Sequence, residues 1–162
     1  MRKIGFIGLG NMGGPMALNL VSSGLSVIGY DVDEKANLLA KENKIEIAVD
    51  IDSLVKDIDV LITMLPASEH VTGVYLEENL LEKLDKSILV IDCSTIAPEV
   101  AIKVASAAKD AGLSMIDAPV SGGVAGAHAG TLTFITGGSV ENVKRATPVL
   151  EKMGQQVLHA GD

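Results

Sequence analysis

Apolar and polar positions along this chain fall into short blocks whose lengths and spacings predict alternating strands and helices. Residues 3–8 (KIGFIG) form a strand-like run, and glycines punctuate residues 9–13. Helical spacing follows through Met16, Ala17, Leu20 and Val21, with Gly24 placed as the C-terminal cap. Residues 27–30 predict a second strand, and Asp33 is placed to cap a helix over 34–41. A third strand is predicted over 45–49, and Ser53 is read as the cap of a short helical turn holding Leu54 and Val55. The apolar run 59–65, stopped by Pro66, and the run 88–91 have the character of strands buried on both faces. Further on, 98–111 and 140–153 predict helices, the first with Pro98 in its opening turn, and 115–117, 132–136 and 156–159 predict strands. This order implies an α/β fold with a mostly parallel, doubly wound sheet and helices on both faces, forming a single domain over residues 1–162.

Composition narrows the function classes. With 13 basic and 21 acidic residues among 162, the net charge is −8, which disfavours a nucleic-acid partner or an anionic membrane surface. No apolar run approaches the roughly 20 residues that span a bilayer, and the N-terminus passes directly into a strand rather than a signal segment. A single cysteine, Cys93, leaves no internal disulfide and no four-ligand zinc site, so a cytoplasmic protein is expected, with the mitochondrial matrix open if a transit peptide has been removed. His70, His128 and His159 have no helical-spacing partner, and no metal site is expected. His128 is read as a loop residue, and His70, four residues after Pro66, is placed near the adenine side of a bound nucleotide.

The first chemical signal is Gly8-Leu9-Gly10-Asn11-Met12-Gly13, which follows a strand and opens a helix. In that context the motif predicts a Rossmann-like dinucleotide site. Gly8 permits the tight turn, Gly10 lets backbone N–H groups reach a pyrophosphate, and Gly13 lets helix and strand approach closely. Asp31, eighteen residues after Gly13 at the end of the second strand, is suited to the ribose hydroxyls of NAD and would repel the 2′-phosphate of NADP. Asp33 competes with it for that role. A later segment, Asp117-Ala-Pro-Val-Ser-Gly-Gly, offers the Ser121 hydroxyl and the backbone N–H groups of Gly122 and Gly123. Two readings of it stand equal on spacing alone: a cradle for a carboxylate, or an ordinary strand-to-loop turn.

Taken in order, Phe6-Ile-Gly-Leu-Gly-Asn-Met-Gly-Gly-Pro-Met-Ala-Leu-Asn-Leu, Met64-Leu-Pro, Asp92-Cys-Ser-Thr-Ile, Asp117-Ala-Pro-Val-Ser-Gly-Gly and Gly130-Thr-Leu resemble the β-hydroxyacid dehydrogenase family along essentially the whole chain. The resemblance implies NAD as cofactor, held by residues 8–13 (Gly8, Leu9, Gly10, Asn11, Met12, Gly13) and Asp31. It adds Leu65 and Pro66 on the cleft wall, and Thr95 beside the nicotinamide. It assigns Ser121, Gly122 and Gly123 to the carboxylate of a small 3-hydroxy acid, oxidised to its semialdehyde, and implies a homo-oligomer for the whole enzyme. Semialdehyde reductases of the same family share these motifs. The family's general acid/base lysine belongs to a second, helical domain and is expected beyond residue 162. Lys103, Lys109, Lys144 and Lys152 are read as solvated positions on amphipathic helices. From another class, a nucleotide-binding module without chemistry is the alternative.

Overall fold

The computed structural model describes residues 2–162. The strands β1 (Lys3–Ile7), β2 (Ser26–Tyr30), β3 (Glu46–Ile47), β4 (Val60–Thr63), β5 (Leu89–Asp92) and β6 (Ser114–Asp117) lie parallel in the order β3-β2-β1-β4-β5-β6. Three more strands extend this sheet: β7 (Val120–Ser121) and β6 pair antiparallel with β8 (Leu132–Gly137), while β9 (Gly154–Gly161) runs parallel to β8. The helices are α1 (Gly13–Ser22), α2 (Glu34–Glu42), α3 (Ile51–Leu54), α4 (Ser68–Thr72), α5 (Leu80–Lys83), α6 (Pro98–Asp110), α7 (Gly123–Ala129) and α8 (Val140–Leu150). A π-helical segment, Gly73–Glu77, continues α4.

Two apolar clusters sandwich the sheet, as the period-two geometry of strands requires. Ile4, Phe6, Val60, Ile62, Leu89 and Ile91 face α1, α7 and α8, whereas Ile7, Leu61 and Val90 face α3 to α6. Both faces of β4 and β5 are therefore covered, which explains their unbroken apolar sequences.

Several local expectations shift in the structure. The cap of α3 is Asp50 rather than Ser53. Asp50 accepts the Ser53 backbone N–H at 2.7 Å while the Ser53 hydroxyl accepts the Asp50 N–H, a reciprocal capping box that starts the helix three residues earlier. The third strand keeps only Glu46 and Ile47, because it pairs with β2 through that short register alone. The 59–65 strand shortens to Val60–Thr63, and the last helix ends at Leu150 rather than 153. His128 sits on α7, not in a loop. The caps at Asp33 and the Gly24 stop of α1 form as expected; Gly24 lies at φ 91° and its N–H reaches the Val21 carbonyl at 3.0 Å.

The start of α1 touches the end of β1 backbone to backbone. A Cβ on Gly13 would lie 1.8 Å from the Gly8 carbonyl oxygen, an impossible contact that only glycine avoids. A Cβ on Gly10 would meet nothing within 4 Å.

Among the described residues, Asp92 at the end of β5 is the only buried charged side chain. Burial is the main cause raising its carboxyl above the ordinary carboxylate range; hydrogen bonds from Ser94 and Thr63 oppose this, and the nearby Asp117 adds to it. The folded chain therefore holds a proton on Asp92 at pH values where the unfolded chain has released it. The associated stability is present below the unfolded pKa and is lost as pH rises through the folded one.

Two predictions follow from this architecture. Gly13→Ala should cost at least about 2 kcal/mol in urea unfolding, as overpacking against backbone does, whereas Gly10→Ala should stay within about 0.5 kcal/mol. Equal losses at the two positions would contradict the close-packing account. In a second measurement, the unfolding free energy of Asp92→Asn minus that of the parent should grow as pH rises from about 4 to about 7, because only the parent bears the buried charge. A difference independent of pH would contradict it.

Candidate functional site: a cleft at the sheet's switch point

Between β1 and β4 the strand order reverses direction, and in doubly wound sheets ligands settle beyond the carboxyl ends of strands at such a point. A cleft of about 860 Å³ opens there. Its floor is the glycine turn: Gly8, Gly10, Asn11, Met12 and Gly13 line it. Met12, the N-cap of α1, makes no side-chain cap, and the first turn of α1 carries no acidic residue. The helix thus presents its positive end to the cleft. The Gly14 N–H is spent on the Gly10 carbonyl and Pro15 has none, so the N–H groups offered to an anion are those of Asn11, Met12 and Gly13. The empty space beside the Gly10 Cα is what a pyrophosphate approaching the backbone needs.

Residues following β2 form one wall. Asp31 lines the cleft and also holds the turn together: its Oδ2 accepts the Leu9 N–H at 2.7 Å, and its Oδ1 accepts the Asp33 N–H at 2.8 Å. Each oxygen keeps a further lone pair for a hydroxyl donor. Asn37 fixes the Asp31 backbone from the other side, donating to its carbonyl and accepting its N–H. Asp33 also lines the cleft, but its Oδ1 caps α2 by accepting the Lys35 N–H. Val32, 91% exposed, projects an aliphatic surface beside them.

The opposite wall comes from residues after β4 and β5. Met64, Leu65 and Pro66 follow β4, with the Met64 N–H held by the Ile7 carbonyl at 2.9 Å. Thr95 follows β5 and lies where this cleft meets a second groove, of about 520 Å³, lined by Asp92, Ile102 and Asp117 among others. Burial raises the Asp117 carboxyl above its ordinary range. Glu69, His70, Gly73 and Val74 close the far end.

Most of the residues singled out from sequence thus share one cleft, and the exceptions are informative. Leu9 points away: its side chain is buried in the core against Gly29, and its N–H is spent on Asp31. Ser121, Gly122 and Gly123 lie outside the cleft, at β7 and the start of α7. Their neighbours Val124 and His128 share a smaller pocket of about 320 Å³ with Gly10 and Asn11, on the other side of the turn. Lys103, Lys109, Lys144 and Lys152 are exposed, and no lysine or arginine lines the cleft among the described residues. Among those residues no group of three or more His, Cys, Asp or Glu side chains is placed to hold a metal ion, and no helix is long and apolar enough to cross a membrane. Sequence reasoning singled out His70 on this wall but missed Val32, Glu69, Gly73 and Val74; the spacing of Val71 and Tyr75 on one helical face was the available signal.

Comparison with known proteins agrees with this geometry. The family described as the NAD binding domain of 6-phosphogluconate dehydrogenase matches residues 3–161. The chain is 52% identical to a 3-hydroxyisobutyrate dehydrogenase of Pseudomonas aeruginosa over 163 residues, covering 100% of this chain and 55% of the relative. It is 47% identical to an NAD-dependent L-serine dehydrogenase of the same organism, covering 99% of the chain and 54% of that protein. A solved structure of Mycobacterium tuberculosis 3-hydroxyisobutyrate dehydrogenase with L-serine superposes with a TM-score of 0.95 at 42% identity, over 99% of this chain and 55% of that one. The chain therefore spans about half the length of the curated relatives it matches. With the glycine turn, the switch-point cleft and a family match from the first strand to the last, this chain belongs to the family of 6-phosphogluconate dehydrogenase-type NAD-binding domains, alongside the 3-hydroxyisobutyrate dehydrogenases.

Proposed function

We propose that residues 1–162 form the dinucleotide-binding domain of an NAD-dependent dehydrogenase that oxidises a small 3-hydroxy acid, with 3-hydroxyisobutyrate as the substrate. The carrying observation is the open space at Gly10 in front of the uncapped α1 N-terminus, flanked by the Asp31 carboxylate. The residues fit the cofactor: a backbone cradle for pyrophosphate, an acceptor for ribose hydroxyls and apolar walls for the rings. Bound there, NAD supplies the hydride acceptor. This chain's own residues bind and orient. Asn11 and Met12 offer N–H groups at the turn, Asp31 takes the ribose, and Leu65, Pro66 and Thr95 border the nicotinamide end. Ser121 with Gly122 and Gly123 is assigned to the substrate carboxylate. Its place beside rather than inside the cleft suits a substrate approaching from outside the cofactor. The relatives' names, 3-hydroxyisobutyrate and L-serine dehydrogenases, share one substrate chemistry: a carboxylate with a hydroxyl on the third carbon. The whole enzyme is proposed to act as a homo-oligomer.

Proton removal from the substrate hydroxyl is assigned to a lysine outside this chain. No lysine lines the cleft among the described residues, and the relatives carry roughly as much chain again. A positioned acid/base contributes about 10²–10⁴-fold. The chain alone should therefore bind NADH saturably yet show no turnover of 3-hydroxyisobutyrate with NAD. Robust turnover would move the proton transfer to His70, the cleft's one histidine.

Cofactor choice gives a sharper test. Asp31→Asn removes the negative charge and keeps one of the two acceptor oxygens, the other giving way to an NH2 that faces a backbone N–H of the turn. It should weaken NADH binding by about 1–2 kcal/mol and narrow the gap to NADPH, because charge-assisted bonding and repulsion of the 2′-phosphate are both lost. An unchanged NADH to NADPH ratio in calorimetric titrations would transfer the role to Asp33 or the backbone.

A further inference from the structure

Behind the cleft wall lies a buried chain of hydrogen bonds that the cofactor contacts themselves do not use. The Tyr75 hydroxyl lies 2.7 Å from Thr63 Oγ1, which lies 2.9 Å from Asp92 Oδ1. The same Asp92 oxygen accepts the Ser94 N–H at 3.1 Å, and Ser94 Oγ accepts the Leu65 N–H at 2.8 Å. Proton accounting sets its direction. The single Thr63 hydroxyl proton goes to the carboxylate, so the Tyr75 phenol donates to Thr63. All four side chains are buried, and Tyr75 is the largest fully buried one among the described residues.

Stability alone does not call for this arrangement. A phenylalanine at 75, a valine at 63 and an aliphatic side chain at 92 would fill the same space without burying a phenol, a hydroxyl and a carboxylate, and apolar replacement of a whole set of buried polar groups is often neutral or stabilising. What the chain of bonds accomplishes is a connection. Its links come from three segments that line the cleft next door: Thr63 precedes Met64 and Leu65, Ser94 precedes Thr95, and Tyr75 follows Gly73 and Val74. The Cys93 N–H, bonded to the Thr63 carbonyl at 2.8 Å, ties the same two strand ends through the backbone. The π-helical geometry of Gly73–Glu77 widens the turn that carries Tyr75 inward, and such bulges recur at functional sites.

We propose that Tyr75, Thr63, Asp92 and Ser94 are positioning residues: their hydrogen-bond chain fixes the Leu65 and Thr95 loops, and through them the nicotinamide end of the bound cofactor. This rests on the NAD-binding reading above. The glycine turn and Asp31, on the other side of the cleft, hold the ADP-ribose portion without the relay.

ADP-ribose, which lacks the nicotinamide, separates positioning from general damage. Calorimetric titration of the chain with NADH and with ADP-ribose is compared for the parent, Thr63→Val, Thr63→Ser and Tyr75→Phe. In Thr63→Val the NADH dissociation constant should rise about tenfold, the scale of one buried hydrogen-bonded link, with ADP-ribose within about twofold of the parent. Thr63→Ser, which keeps the hydroxyl, should restore NADH affinity to within about twofold. Tyr75→Phe deletes one oxygen, so it tests the relay even if Thr63→Val fails to fold. It should weaken NADH selectively and shift the fluorescence maximum of the bound reduced nicotinamide. Parental NADH affinity in whichever of Thr63→Val and Tyr75→Phe folds, or equal losses for NADH and ADP-ribose, overturns this inference alone. A parent chain that binds neither ligand overturns the proposed function and this inference with it.

Discussion

The backbone contact between the end of β1 and the start of α1 governs this molecule. Because Gly13 carries no Cβ, α1 begins almost against the Gly8 carbonyl, and its N-terminus points along the sheet edge where strand order reverses. From that one approach follow the aim of the helix dipole, the opening at Gly10 and the reach of the Leu9 N–H to Asp31. Asp31 is therefore at once part of the turn's scaffold and part of the cleft's lining. Exchange at that position touches both, which is why the NADH to NADPH ratio, rather than NADH affinity alone, reports on the charge.

The electrostatic design is simple. A chain of net charge −8 offers a dinucleotide cleft lined by no lysine or arginine among the described residues. Attraction for a pyrophosphate must then come from oriented N–H groups and the α1 terminus, which act at short range and cost no reorganisation. Such binding depends on geometry more than on long-range steering, so its strength should vary little with ionic strength compared with a site built from surface cations.

Much of this was legible in the sequence, for identifiable reasons. The glycine motif announces itself because a Cβ on Gly8 or Gly13 would strike backbone while Gly10 leaves open space, and the strands β4 and β5 because burial on both faces leaves unbroken apolar runs. Asp33 as a cap and Gly24 as a helix stop are local signals read within a few residues. The illegible parts depend on distant partners. Nothing near Thr63 shows that its hydroxyl meets Tyr75 and Asp92, which lie 12 and 29 residues away. The helix Leu80–Lys83 is a single turn, too short for its apolar spacing to stand out, and β7 is a two-residue strand defined only by its pairing with β8. Leu9 sits within the glycine motif but turns inward, a detail that only the packing of Gly29 against it reveals. The Ser121-Gly122-Gly123 segment was ambiguous in sequence because a carboxylate cradle and a strand-to-helix turn demand the same small residues, and it forms the entry to α7.

The central claim is that the glycine turn at the switch point, and no other surface of this chain, receives the cofactor. Amide NMR of the isotopically labelled chain during titration with NADH tests this most directly. The largest saturable shifts should fall on the N–H groups of Gly10, Asn11, Met12 and Gly13 and of the residue pair Asp31 and Val32, with a weaker set at Leu65 and Thr95. Saturable shifts centred elsewhere, for instance on the pocket between Arg2 and Arg145 at the amino ends of the central strands, with the glycine turn unmoved, would contradict the account.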